Sequence, residues 1–381
     1  MNSFGRLLAV SRRFYLWVFA IVVMVVLADC AFICKDKDVY LTKSGVTQMV
    51  QTTLAEENGA SMVENHYLTL ENLAAERGNG FGLVAVILGM ITLLVVREIA
   101  FTDVRTQEFR HTWPVKNWVR ELYDYVAMLL VIVLGFVLET LILLLMQIRY
   151  NHLVIDVLAE QGITSKVTDM MSDCNQYFLM SMAWFLLAMI NSYTWISLGM
   201  SLAKNSIVGA ILSVVVKGLV QLIWCFLGYN VVGCFAQLGF WDEDFDWMVC
   251  EIGEYLLFDT LFFRHLDLNR GDVVNLGYGF TVFHWMFAQV AICVVLIICY
   301  IISARKKDLS KGKLLYFPSL RYPLGIMSGF GVFTFCYEWL SWWDYNFEVV
   351  LSLVLSISAA VATILLCRPA SKSKSVRLEV K

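Results

Sequence analysis

Eight stretches of this chain stay apolar for about the length needed to cross a bilayer, and that repetition limits the fold more than any other feature. They lie at residues 14–34, 80–101, 123–148, 176–203, 207–238, 279–303, 322–340 and 347–367. Hydrocarbon about 30 Å thick takes about 20 mostly apolar residues per helix. Helices are the expected form, because lipid offers backbone N–H and C=O groups no partner and the period-2 alternation of barrel strands is missing. Composition agrees: 59% of the 381 residues are hydrophobic and 16% charged, against about 25% charged in a soluble domain. Mean hydropathy is +0.68. The expected fold class is therefore all-α, a polytopic transmembrane helical bundle of about eight spans. Pro114, Pro318, Pro323 and Pro369 all lie between runs or at their ends, so none interrupts a predicted span.

The first run, preceded by Arg12 and Arg13, also has the outline of a signal peptide ending at Ala28, Asp29 and Cys30. Asp29 is a poor cleavage neighbour and further spans follow, so the run reads as a span. Of ten cysteines, Cys30, Cys225, Cys234, Cys293, Cys299, Cys336 and Cys367 fall in or at the ends of spans, where a thiol behaves as a small hydrophobe. Cys34, Cys174 and Cys250 fall in predicted outer loops, and their spacing forms no metal or redox motif. A disulfide among those three stays open.

Lys and Arg collect on the cytoplasmic side of membrane proteins. With the N-terminus inside, the internal segments 1–13, 97–122, 204, 305–321 and 368–381 hold 20 of the 29 Lys and Arg, and the outer loops 35–79, 149–175, 241–278 and 341–346 hold 8. Both termini are thus expected in the cytoplasm of a multi-pass cell (plasma) membrane protein, which requires an even number of spans. The outer segment 241–278 is acidic, with Asp242, Glu243, Asp244, Asp246, Glu251, Glu254 and Asp259. It reads either as a solvated outer surface or as a means of attracting a cationic substrate. Residues 247–263 within it mix Trp247, Leu256, Leu257, Phe262 and Phe263 with acids, as suits a helix on the outer interface.

Residues 1–13 set Phe4, Leu7, Leu8 and Val10 among Arg6, Arg12 and Arg13, the pattern of a cytoplasmic interfacial helix leading into the first span. The outer insertion 35–79 repeats Val46, Met49, Val50 and Leu54 at helical spacing and then carries Asn58 and Gly59, which predicts a small helical hairpin. The 207–238 run would be about 48 Å long as a helix, more than the hydrocarbon thickness. Gly228, Asn230 and Gly233 predict a break there, or a re-entrant end.

The internal segment 102–122 carries the strongest functional pattern: Arg105, Thr106, Gln107, Glu108, Phe109, Arg110, His111, Thr112, Trp113, Pro114, Val115, Lys116. Charges of both signs, with Phe109 and Trp113 at an i, i+4 spacing, form a short amphipathic helix able to dock on a soluble partner. Pro114 ends it, because proline disfavours helical geometry in the residue before it. The plainer alternative is a basic loop anchored by Trp113 and Trp118. Here the chain resembles permease subunits of the ABC-2 type exporter superfamily, whose same internal loop reads roughly Arg-Thr-x-Glu, a few residues, then Leu-Pro-Val-Lys or Arg. Arg105, Thr106, Glu108, Pro114, Val115 and Lys116 match, and Trp113 stands where that group has Leu. The resemblance implies an ABC-2 (type V exporter-like) core over the first six spans, with two spans beyond it. It also implies that the loop is a coupling helix resting in a groove of an ATPase subunit, Phe109 and Trp113 forming its apolar face.

A second resemblance follows the sixth span in the cytoplasmic basic loop 304–321. Tyr300, Arg305, Lys306, Lys307, Lys311, Gly312 and Phe317 look like the Tyr-x-x-Arg, Ala-Gly, Phe pattern of a Firmicutes branch of these permeases, with Lys311 where that branch has Ala. The residues alone read as a positive-inside anchor, as does the basic tail 368–381. No Gly-x-x-x-x-Gly-Lys-Ser/Thr occurs, so the chain has no phosphate-cradling loop of its own. The resemblance therefore implies a separate P-loop ABC ATPase chain that holds ATP-Mg, and a homodimer or heterodimer of permease chains. No cofactor on this chain and no nucleic-acid partner is expected.

Glu139 and Lys217 are the ionisable groups nearest the middle of their spans. Such groups are costly in hydrocarbon and face an interior or a cavity. They are expected either to pair and fix helix packing or to line a pathway. An enzyme is disfavoured, because His66, His111, His152, His265 and His284 are scattered and neither His-Glu-x-x-His nor Gly-x-Ser-x-Gly occurs. A secondary transporter or channel, which often shows related halves with broken helices, and a non-transporting sensor or assembly factor are the remaining alternatives.

Overall fold

A computed structural model of the chain describes residues 3–36, 42–55, 94, 96, 116–162, 167–203, 205–227, 282–306, 315, 317–341 and 348–367. Among them are eight α-helices: α1 (Ser3–Asp36), α2 (Lys43–Ala55), α3 (Asn117–Glu160), α4 (Val167–Leu202), α5 (Ser206–Phe226), α6 (Val282–Lys306), α7 (Arg321–Ser341) and α8 (Glu348–Leu366). No strand occurs among the described residues; a single isolated bridge pairs Ala203 with Leu315. Four helices are long and apolar enough to cross a membrane, over Arg12–Ala31 in α1, Trp118–Glu160 in α3, Met286–Arg305 in α6 and Val349–Leu366 in α8. The protein is a helical membrane protein.

Three helices run past the ends that hydropathy suggested. In α1 the predicted interfacial helix and first span are one continuous helix from Ser3. α3 continues beyond residue 148 to Glu160, and its 44 residues make it about 66 Å long, roughly twice the hydrocarbon thickness. The added turns lack Pro and Gly, and Val154, Val157 and Leu158 on one side of them are buried. The helix stops where Gly162 takes a φ of 79°, a left-handed geometry that glycine enters without a Cβ penalty, while its N–H donates to the Ala159 carbonyl. α4 begins at Val167, ahead of the apolar run at 176.

The chain divides into two compact units. One comprises Met1–Gly89, Val119–Ile190 and Phe262–Val290; the other comprises Met90–Trp118, Asn191–Leu261 and Ala291–Lys381. In the first unit the Tyr15 hydroxyl donates to Asp124 Oδ1 at 3.1 Å, and the Tyr15 ring meets Phe14 and Tyr123 edge-on. Further along, Gly135 lies so close to Val22 that a Cβ there would overlap it. Contacts that advance together along both helices mean that α1 and α3 run in the same direction. Lys43 at the start of α2 pairs with Glu160 at the end of α3.

In the second unit α4 and α5 form an antiparallel pair that crosses at Gly199 and Gly209, where the two backbones touch. The Trp195 indole N–H donates to the Ser213 carbonyl across this crossing at 2.7 Å. α6 runs parallel to α4, linked by Ser201 Oγ and Ser303 Oγ at 2.9 Å and by a Thr194–Cys293 hydrogen bond. α5 runs parallel to α7, with Leu219 against Gly331 and the Phe226 ring edge-on to Phe330, Phe333 and Tyr337. α7 and α8 form an antiparallel hairpin through Gly325 and Gly329, which lie against Ile364, Ala360 and Ser356, and through a Ser328–Thr363 hydroxyl pair. Small residues at such positions let helices approach closely enough for dispersion to hold them without a hydrophobic driving force.

Candidate functional site

One end of the second unit gathers the segments that the sequence marked as internal. The end of α4 and the stretch before α7 meet in the Ala203–Leu315 bridge. Ala203, Leu315 and Cys367, just past α8, form a buried cluster against Leu212, Leu320 and Leu324. α5 starts at the same end. Asn205 caps it, accepting from the Ile207 and Val208 N–H groups at 3.0 and 3.3 Å, which satisfies donors that a helix start otherwise leaves open. A 3₁₀ turn, Pro318–Leu320, leads into α7, where Pro323 sits in the first turn, the part of a helix that tolerates it.

The end of α6 and the beginning of α3 meet here as well. The Arg305 guanidinium lies over the Trp118 ring, 4.5 Å from its centroid. Lys116, exposed, stands immediately before α3. Arg321 stacks over Tyr322 at 4.5 Å and donates to its hydroxyl. The end is therefore basic, with its cations spread over indole and phenol faces.

Of the eight candidate coupling residues, Lys116 alone is described. Arg105, Thr106, Glu108, Phe109, Trp113, Pro114 and Val115 lie outside the described residues. So do most of the 80–101 span, Asn58 and Gly59, Gly228, Asn230 and Gly233 where a break is predicted, the acidic segment 241–278, residues 307–313 and the tail 368–381. Glu139 and Lys217 are both buried, Glu139 in the first unit and Lys217 in the second. Glu139 shares a face of α3 with Leu143, Gln147 and Asn151 at four-residue steps, and Gln147 Nε2 donates to Asn151 Oδ1 at 3.0 Å.

Hydropathy overlooked two features. The part of α4 in the second unit buries Asn191, Ser192, Thr194, Ser197 and Ser201 within the length of an apolar run. Window averages conceal hydroxyl groups, but the Ser/Thr spacing of 194, 197 and 201 is readable as one helical face. The second is the Trp118–Arg305 contact, whose partners belong to two segments read separately. Away from the membrane-length helices, Lys43 has its pKa raised, first by its hydrogen bond to Glu160 and then by that carboxylate's charge. Among the described residues no group of three or more His, Cys, Asp or Glu is placed to hold a metal ion.

Comparison with protein-family models, with curated proteins and with solved structures gives no match.

Proposed function

We propose that this chain is the membrane-spanning permease subunit of an ABC transporter with an ABC-2 core, exporting an amphipathic, peptide or lipid-like substrate from the plasma membrane. The observation that carries the reading is the sequence Arg105, Thr106, x, Glu108 followed by Pro114, Val115, Lys116, placed directly before α3, a helix long enough to cross the bilayer. In this reading the 102–122 segment, whose last residues from Asn117 open α3, is the cytoplasmic coupling helix, and a separate P-loop ATPase binds ATP-Mg and supplies the work. Two permease chains, identical or different, and two ATPases form the working unit. Glu139 and Lys217, buried at membrane depth, are the candidates for lining the path.

The reading also carries a topology of eight spans with both termini cytoplasmic. The parallel course of α1 and α3 supports it, because two spans with the same direction need an odd number of crossings between them, and 80–101 supplies one. The parallel course of α4 and α6 supports it too. Between them α5 runs the opposite way, as the return crossing of that topology requires. The basic end of the second unit then faces the cytoplasm, in keeping with the positive-inside bias. A secondary transporter is the second reading, favoured by buried ionisable groups at membrane depth.

The test is co-isolation. Purified chain is expected to bring down a P-loop ATPase from its own membrane and to raise that ATPase's hydrolysis. Recovery of the intact chain without any ATPase would favour the secondary transporter.

A further inference from the structure

We propose that Arg321, Tyr322 and the adjoining exposed strip of the α7–α8 hairpin bind a phospholipid with an anionic headgroup, its phosphate held by the Arg321 guanidinium. The site needs only the membrane setting of these two helices and is independent of any ATPase partner.

The register of the hairpin puts Arg321 at a membrane boundary. Gly325 lies against Ile364 and Gly329 against Ala360. In this antiparallel pair Arg321 therefore comes level with the residues just past Leu366, where the membrane-length stretch of α8 ends. Phospholipid headgroups lie at that depth. The guanidinium is held over the Tyr322 ring, 4.5 Å from its centroid, and donates to the Tyr322 hydroxyl. Beyond Tyr322 it has no hydrogen-bond or ion-pair partner among the described residues, and its Nε is enclosed without an acceptor. The ring thus fixes a cation whose other Nη donors are unmatched. At this end of the second unit the described residues 116–118, 203, 205–206, 303–306, 315, 317–324 and 366–367 include no Asp or Glu, so they offer Arg321 no anion.

The hairpin continues the site into hydrocarbon. The Ser328–Thr363 hydroxyl pair occupies one side of the α7–α8 contact. Helical spacing turns Tyr322 and Ile326 to the other side, which Ile357 and Val361 of α8 share. All four are exposed, Ile326 at 69% and Ile357 at 61%. Ile357 stands near the level of Gly331, about 15 Å along α7 from Arg321 at 1.5 Å per residue. That is half of the roughly 30 Å hydrocarbon thickness and the reach of one acyl chain. Charge selects the headgroup. A guanidinium forks onto phosphate oxygens through parallel N–H···O bonds, and an anionic headgroup brings no ammonium of its own to oppose it. A lysine would anchor the boundary but would neither lie flat on the ring nor fork.

The experiment titrates the full chain, purified in neutral detergent, with phosphatidylglycerol or with phosphatidylcholine of the same acyl chains. Native mass spectrometry reads the first bound lipid beside the thermal midpoint. The variants are Arg321→Gln, Arg321→Lys, Tyr322→Leu and Arg305→Gln, whose cation stands at the same end over Trp118 instead. Expected is a preference for phosphatidylglycerol that Arg321→Gln weakens roughly fivefold, the contribution of one basic residue near an anionic surface, with phosphatidylcholine binding unchanged. Arg321→Lys should recover only part of the loss, Tyr322→Leu should also weaken binding, and Arg305→Gln should bind the first phosphatidylglycerol as the unaltered chain does. Equal affinity of the unaltered chain for the two lipids would overturn the site, as would Arg321→Gln or Arg321→Lys matching the unaltered chain. So would a loss in Arg305→Gln as large as that in Arg321→Gln, which would mean a diffuse basic boundary. Inorganic phosphate giving the same midpoint shift as phosphatidylglycerol would make a free anion the ligand and overturn it too. Tyr322→Leu leaves the cation in place, so should Arg321→Gln fail to fold, full binding by Tyr322→Leu would overturn the site.

Discussion

Replacing Gly209 by alanine should destabilise the protein, although alanine is the better helix former. A Cβ at Gly209 would stand 2.5 Å from the Gly199 carbonyl oxygen and 2.7 Å from the Met200 Cα. Both are backbone atoms, so no rotamer change relieves the overlap, and α4 and α5 must separate by about 1 Å to restore ordinary contact. Overpacking of this kind costs about 1–3 kcal/mol. The same separation stretches the 2.7 Å Trp195–Ser213 hydrogen bond, for a further loss of about 0.5–1.5 kcal/mol. The gain in helix propensity is about 1 kcal/mol, leaving a net loss of about 0.5–3.5 kcal/mol. Gly218, on the same helix with nothing within 4 Å of a built Cβ, is the internal control, and Gly218→Ala should be neutral or stabilising by up to about 1 kcal/mol. Unfolding of the purified chain in mixed detergent micelles, titrated with a denaturing detergent, reads both variants. Equal stability of Gly209→Ala and Gly218→Ala would refute the close crossing of α4 and α5.

Two further outcomes follow from the first unit. Tyr15→Phe removes the hydroxyl that donates to Asp124 but keeps the ring against Phe14 and Tyr123. It should cost about 0.5–1.5 kcal/mol in the same titration, and no loss would mean that the hydroxyl does not help to hold α1 against α3. The Lys43–Glu160 pair, with the Lys43 pKa raised in the folded chain, contributes stability in full below the unfolded value near 10.5 and loses it as pH rises through the higher folded value. The difference in thermal midpoint between the unaltered chain and Lys43→Gln should therefore be constant from neutral pH to about pH 10 and vanish above that. Both partners are more than half exposed, so the difference is small and shrinks with salt. A difference that disappears between pH 7 and 9 would contradict the assignment of the pair.

Much of the membrane architecture was legible in the sequence, because transfer of apolar groups to hydrocarbon sets a minimum length that four described helices meet. Helix ends were less legible. Arg149, Asn151 and His152 lower hydropathy after residue 148, yet nothing among them breaks a helix, and Val154, Val157 and Leu158 give the continuing turns an apolar face. Hydropathy measures what lipid accepts, whereas helix length is set by capping and by what packs beside the turns. The start of α5 shows the converse, since Asn205 before an apolar run is a readable cap. Contacts between distant segments were not legible. Trp118 and Arg305 each read as an interfacial anchor, because sequence shows the chemistry of a side chain without the partner that the fold supplies. Gly199 and Gly209 are unremarkable glycines until the crossing of α4 and α5 brings their backbones together.

The central claim is that the 102–122 segment takes the stroke of a separate ATPase. Its most direct measurement is ATP hydrolysis by the co-isolated ATPase in vesicles containing either the unaltered chain or the Glu108→Ala/Phe109→Ala variant. The account predicts that the variant still inserts and unfolds at the same temperature but loses most of the stimulation that the unaltered chain gives. Full stimulation by the variant, with the complex intact, would contradict it.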